Sequence, residues 1–236
     1  MQIASYLKTS LIEWPDKIAS VIFTPGCNFR CPFCHNADLV KNHEIPLLKE
    51  EEILVDLKKR RKWIEAVVVT GGEPTLQKDL LKFLKSLKSF GLFTMIHTNG
   101  TRPEVITKLL DCSIVDYISM DLKGDFENYS NYSNCSNDQI IAVKESMKLI
   151  AGSGIEYEFR TTVVPGLHNL ENLTNLAGEI KKVSQTGKTK WFLQQFQPKN
   201  TLDKKFLKLK PYSKEEMGIF RRVLQEIIPD VFLRGI

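Results

Sequence analysis

The stretch IASVIFTPGCNFRCPFCHN (18–36) begins as a strand and ends as a site. Seven largely apolar and β-branched residues run to Thr24, Pro25 and Gly26 break the pattern, and Cys27, Cys31 and Cys34 follow within eight residues. Similar runs recur downstream: AVVVT (66–70), FTMIHT (93–98), YISMD (117–121), EYEFRTTVV (156–164) and KWFLQQF (190–196). Between them lie segments with apolar residues at helical spacing, near 49–62, 76–90, 103–111, 138–152, 170–185 and 213–228. Asn137 or Asp138 is expected to cap the fourth helix, and Ser213 with Glu216 forms a capping-box pattern for the last.

Six strand–helix units in alternation predict an α/β fold with a parallel sheet. A closed eightfold barrel takes about 250 residues. Six units in 236 residues therefore predict an open (β/α)6 partial TIM barrel with helices on the outside. No linker rich in Pro, Gly or Ser divides the chain, so 1–236 reads as one domain. The most biased segment, NYSNYSNCSND (128–138), reads as a polar loop.

With 42% hydrophobic residues the chain can bury a sizeable core, and no run is long enough to span a membrane. The first residues lack the features of a secretory signal, which places the protein in the cytoplasm. The Asn-x-Ser/Thr triplets at Asn128, Asn131, Asn134 and Asn172 carry little weight there. The net charge of +5 comes largely from DLKKRRKW (56–63) and LDKKFLKLK (202–210). Both read as solvated surface rather than a nucleic-acid site, although the second can attract an acidic partner.

Five cysteines in a reducing compartment argue against structural disulfides and for metal or redox chemistry. Cys112 and Cys135 stand apart and read as incidental thiols. Zinc is one reading of the loop, but structural zinc takes four ligands, usually as two separated pairs. Neither His35 nor His43, Cys112 or Cys135 completes such a pattern. Three thiolates on a four-iron cluster leave one iron open, and an open position is where a cofactor binds.

C-x3-C-x2-C with Phe33 before the third cysteine resembles the signature of the radical S-adenosylmethionine enzymes. The resemblance implies that Cys27, Cys31 and Cys34 hold a [4Fe–4S] cluster whose fourth iron is chelated by S-adenosylmethionine, with Phe33 beside the adenine. Reductive cleavage of that cofactor gives a 5′-deoxyadenosyl radical that abstracts hydrogen from a substrate. GGEP (71–74), at the end of the second strand, would alone read as a turn. Within this resemblance Gly71, Gly72 and Glu73 bind the methionine amino group, the glycines letting backbone come close to the ligand.

HTNG (97–100), DLK (121–123) and VVPG (163–166) end the next strands, where a barrel keeps its active site. Asp121 is expected to accept from ribose hydroxyls and Lys123 to pair with the methionine carboxylate, with Thr98 and Asn99 adding hydrogen bonds. His97 reads equally as a satisfied strand histidine or a ligand, and Arg160 either pairs with a buried acid or reaches the site.

SLIEWPDKIASVIFTPGCNFRCPFCHN (10–36), TGGEPTLQ (70–77), HTNG, DLK, YEFRTTVVPGLH (157–168) and LRGI (233–236) together resemble glycyl-radical-enzyme activases. They are most similar to the activating proteins of anaerobic ribonucleoside-triphosphate reductases, in a longer form like the pyruvate formate-lyase activases. This implies a protein substrate, in which a backbone glycine loses its α-hydrogen, and flavodoxin or ferredoxin as electron donor. The chain departs from the formate-lyase activases at His97, where they carry an acid, and at QQFQP (194–198), where they carry a histidine. Gln195 and Gln197 are the candidate replacements. HNADLVKNHEIP (35–46) lacks further cysteines, which predicts one cluster. Other readings are a radical enzyme acting on a purine-like small molecule, a tRNA-modifying enzyme, and a non-catalytic zinc module.

Overall fold

The computed structural model describes residues 1–41, 45–184 and 189–236. His43 and the end of the helix expected at 170–185 lie outside the described residues. Among the described residues eight strands form one sheet in sequence order: β1 (Ser5–Ser10), β2 (Ala19–Thr24), β3 (Ala66–Gly71), β4 (Phe93–Thr98), β5 (Tyr117–Asp121), β6 (Glu156–Val163), β7 (Lys190–Gln195) and β8 (Val231–Arg234). β2 to β4 and β6 to β8 pair in parallel, and β1 lies antiparallel on β2. The order has two ends, so the sheet is open. The six expected units are present, each strand from β2 to β7 being followed by a helix.

β1 and β8 were not expected. β1 has mostly exposed residues and a register shift between Leu7 and Ser10, so it shows no clean alternation. β8 has only four residues. No helix among the described residues is long and apolar enough to cross a membrane.

Contacts divide the chain into two compact units. The first comprises Met1–Asn28, Asp38–Thr98 and Glu104–Ser119. Its centre is β2 and β3, buried along nearly their whole length, as fits interior parallel strands covered on both faces. Val21, Val68, Met95 and Tyr117 share a cluster with Trp14, whose ring lies 5.6 Å from that of Tyr117. Helix α1 (Ala37–Lys41) follows the cysteine loop, and α2 (Glu50–Arg60) precedes β3. Helix α3 (Leu80–Ser89) buries Leu80, Phe83, Leu84 and Leu87, one stripe at helical spacing. Each such side chain contributes about 1.5–3 kcal/mol. Helix α4 (Pro103–Asp111) starts on a proline, whose missing N–H costs nothing in a first turn.

The second unit comprises Phe29–Ala37, Asn99–Pro103 and Met120–Ile236. Its core includes Phe159, Leu173, Trp191 and Leu224. The Trp191 indole N–H donates to Thr161 Oγ1 at 3.0 Å. Glu158 accepts from both terminal nitrogens of Arg234, at 2.8 and 2.9 Å, which fastens the LRGI ending to β6.

Residues 128–138 are not the polar loop expected. Tyr129–Ser133 forms helix α5, with Tyr129, Tyr132 and Ser133 buried. The tyrosines stand three residues apart and therefore share a helix face, which the surrounding Asn and Ser residues obscure in sequence. Helix α6 (Asn137–Gly152) is capped by Ser136, one residue before the expected cap, in a reciprocal box with Gln139. Helix α7 (Leu170–Val183) is boxed by Asn169 and Asn172, and α8 (Lys214–Gln225) by Ser213 and Glu216 as expected.

Candidate active site

In the first unit, the chain after β2 and the chain after β3 are bonded to each other. Gly72 N–H donates to Thr24 O and Glu73 N–H to Gly26 O, both at 2.8 Å. A Cβ on Gly72 would fall 1.8 Å from Gly26 O, and one on Gly71, at φ +110°, would fall 2.5 Å from Thr24 N. The glycines were expected to admit a ligand. In the structure, protein backbone takes the space that a side chain would need, and this contact fixes the residue preceding Cys27.

Glu73 is 1% exposed. Its Oε1 accepts from Thr75 N–H at 3.1 Å, Thr75 Oγ1 at 2.5 Å and Thr98 Oγ1 at 2.7 Å. Glu73 and Thr98, assigned separately from sequence, are thus one device: the Thr98 hydroxyl holds the Glu73 carboxylate across the ends of β3 and β4. His97 Nδ1 lies 3.1 Å from Thr70 Oγ1.

In the second unit, Cys34 N–H donates to Cys31 O at 3.1 Å, closing a turn over Pro32 and Phe33. Cys31 is buried, Cys27 and Cys34 are half-buried, and none of the five cysteines is in a disulfide. Burial pushes the Cys34 thiol up, while the Lys123 ammonium pulls it back. The loop is walled by aromatic residues. Phe33 is 4% exposed and lies edge-on to His168 at 6.3 Å, and Phe29 edge-on to Tyr129 at 6.3 Å. Arg30 N–H donates to Ser133 O at 2.9 Å.

Asp121 stands between two cations. Its Oδ1 accepts from Arg160 Nε at 2.9 Å and its Oδ2 from Lys123 Nζ at 3.0 Å. Arg160 therefore pairs with an acid that is half-buried and is itself a candidate site residue. Burial pulls the Lys123 ammonium down, but Asp121, aided by Cys31 and Tyr129, more than reverses this and holds it charged. Asn99 Oδ1 is taken by its own loop, accepting from Thr101 N–H at 3.0 Å and Thr101 Oγ1 at 2.7 Å.

His168 appeared in a quoted motif but was given no role. It is 1% exposed. Its Nδ1 accepts from Val164 N–H at 3.1 Å and its Nε2 lies 2.8 Å from Lys123 O, so the proton sits on Nε2. The ring stacks on Tyr132 at 4.8 Å, and Tyr132 in turn donates to Asp125 Oδ2 at 2.7 Å. Burial lowers the imidazole pKa to about 4. His168 thus ties the DLK turn to the wall of the cysteine loop. Gly124 is required there, because a Cβ would fall 2.2 Å from the Tyr132 ring.

Among the described residues of this unit, two buried atoms have no hydrogen-bond partner within the protein: His35 Nε2 and Gln195 Oε1. The His35 ring lies 6.0 Å from Phe196, the residue after Gln195. Gln195 Nε2 donates to Tyr212 O at 2.7 Å, which fixes the direction of its free oxygen. Native proteins seldom leave such atoms unsatisfied, and a polar ligand would complete them. Gln197, the other candidate, is exposed. Among the described residues no three His, Cys, Asp or Glu side chains converge as ligands of one metal ion. The thiolates of a four-iron cluster need no such convergence, since each binds a different iron.

The radical SAM superfamily model matches residues 21–177. The chain belongs to that superfamily, whose cofactors are a [4Fe–4S] cluster and S-adenosylmethionine. Within it the chain groups with the activating enzymes of glycyl-radical enzymes. It is 32% identical, over 99% of its length and 96% of the relative's, to the Methanocaldococcus jannaschii protein MJ1227, assigned as a glycyl-radical enzyme activating enzyme. It is 27% identical to the pyruvate formate-lyase 1-activating enzyme of Escherichia coli, over 95% of both chains. The fold matches Streptococcus suis SuiB bound to S-adenosylmethionine, with TM-score 0.69 and 14% identity, over 91% of this chain and about half (52%) of that one.

Proposed function

We propose that this protein activates an anaerobic ribonucleoside-triphosphate reductase, and that residues 1–236 act in the cytoplasm as a single radical SAM domain. The observation that carries the reading is the three-cysteine loop, walled by Phe33 against His168 and Phe29 against Tyr129, in a chain similar to activases over nearly its whole length. Cys27, Cys31 and Cys34 would hold the cluster, and S-adenosylmethionine would bind beside it. When bound, these groups supply reductive cleavage of the sulfonium and a hydrogen-abstracting radical.

The remaining residues orient and exclude water. Gly71, Gly72 and Glu73 receive the amino end, with Thr98 acting through the Glu73 carboxylate. Lys123 meets the carboxylate and Asp121 the ribose, while Asn99 shapes its own loop after β4. Phe33 borders the adenine, and Gln195 Oε1 is an acceptor for an exocyclic amine. Flavodoxin or ferredoxin supplies the electron.

The test is electron paramagnetic resonance on an anaerobic mixture of reconstituted protein, reductant, S-adenosylmethionine and the reductase, with 5′-deoxyadenosine assayed in the same tube. A glycine-centred doublet growing with 5′-deoxyadenosine is expected, and a Cys31→Ala variant should yield neither. A doublet only with pyruvate formate-lyase, or cleavage stimulated only by a small metabolite, would reassign the substrate. One zinc and no sulfide per anaerobically purified chain would refute the reading.

A further inference from the structure

The basic stretch near the C-terminus is built onto the cysteine loop. Asp203 N–H donates to Pro32 O at 2.9 Å, and Asn200 Nδ2 donates to His35 O at 3.1 Å. The Phe206 ring lies 6.5 Å from that of Phe33. These contacts meet the chain on both sides of Cys34. Lys204–Lys208 is a 3-10 turn, and Lys199, Lys204, Lys205, Lys208 and Lys210 are exposed on and around it, with Leu207 42% exposed among them. The acid of the stretch, Asp203, caps the turn by accepting from Lys205 N–H at 2.9 Å.

We propose that this lysine face is the docking surface for an acidic one-electron carrier protein that reduces the cluster; the inference rests on the function proposed above. A carrier must bring its redox centre close to the cysteine loop, and this segment is hydrogen-bonded to that loop. Electron-transfer contacts are small and transient, and charge complementarity sets their rate of formation. Five lysines around one exposed leucine have that composition. Single-stranded nucleic acid would meet the same charge, but such sites stack bases on exposed aromatic rings. Phe206 is instead turned onto Phe33, and Tyr212 donates to His168 O at 2.7 Å. In the transfer, one electron leaves the carrier's flavin or iron–sulfur centre, which is oxidised by one, and the cluster is reduced by one. No atom passes between the proteins.

The experiment compares the cluster-loaded protein with its Lys204→Glu/Lys205→Glu/Lys208→Glu variant and with the milder triple Gln variant. Binding of oxidised flavodoxin is measured across ionic strength, and cluster bleaching is followed with reduced flavodoxin and separately with dithionite. The Glu variant should bind flavodoxin at least tenfold more weakly, with a flattened salt dependence, and the Gln variant should fall between. Reduction by dithionite and affinity for S-adenosylmethionine should not change. Equal flavodoxin affinity in all three proteins would overturn the proposal, as would a loss confined to binding of the glycyl-radical partner or of an oligonucleotide. A cluster that dithionite reduces without cleavage of S-adenosylmethionine would refute the proposed activity, while the binding comparison would still decide the docking surface.

Discussion

His168 is expected to stay neutral far below the pH at which a histidine ordinarily gains its proton. Protonation at Nδ1 would set a second N–H against the Val164 N–H it now accepts from, inside an aromatic wall, and the folded value accordingly falls to about 4 from 6.5. Between those values the unfolded chain binds a proton at this site that the folded chain does not. Stability therefore drops as pH falls from 6.5 towards 4 and is fully present above 6.5. At about 1.4 kcal/mol per pH unit between the two values, this one residue accounts for about 3 kcal/mol. The assay is nitrogen NMR of histidine-labelled, metal-free protein, with His168 assigned by the signal missing from a His168→Gln variant. Among four histidines it should keep the Nε2–H tautomer down to about pH 5. Urea unfolding at pH 7 and pH 5 should show a smaller pH dependence in the variant. A midpoint near 6.5, an Nδ1–H tautomer, or equal pH dependence in both proteins would refute the reasoning.

Gly72→Ala places a methyl group against the Gly26 carbonyl, which cannot rotate away, so it should cost about 3 kcal/mol or more and lower the iron bound per chain; thermal melting and iron analysis check both. Glu73→Gln keeps an oxygen for the Thr75 and Thr98 hydroxyls but removes the charge. Its melting temperature should change little, while affinity for S-adenosylmethionine should fall about tenfold, the value of a charge-assisted hydrogen bond. Unchanged affinity by equilibrium binding would remove Glu73 from the cofactor site.

What could be read from sequence was what repeats or what chemistry forces close together. The apolar strand runs with amphipathic helices between them gave the order of the sheet, and three cysteines in one loop gave the metal chemistry. The Ser213–Glu216 box was legible because both partners are local. His168 was not, because Val164, Lys123, Tyr132 and Phe33 come from separate stretches of chain and no local pattern announces a buried imidazole. The close contact at Gly72 was illegible for the same reason: the neighbour that excludes a side chain is Gly26, nearly fifty residues earlier. Helix α5 was hidden by composition, since Asn and Ser outnumber the two tyrosines that anchor it.

The wall around Phe33 also has a history in time. Cys31 and Cys34 are made early, but Tyr129, Tyr132 and His168, which enclose their loop, are made much later. At ribosomal speeds of about 5–20 residues per second, the two thiols spend on the order of ten seconds on a nascent chain that cannot yet shelter them. Cluster delivery before His168 has emerged would reach an unwalled loop, so the cell has reason to load iron after synthesis is complete.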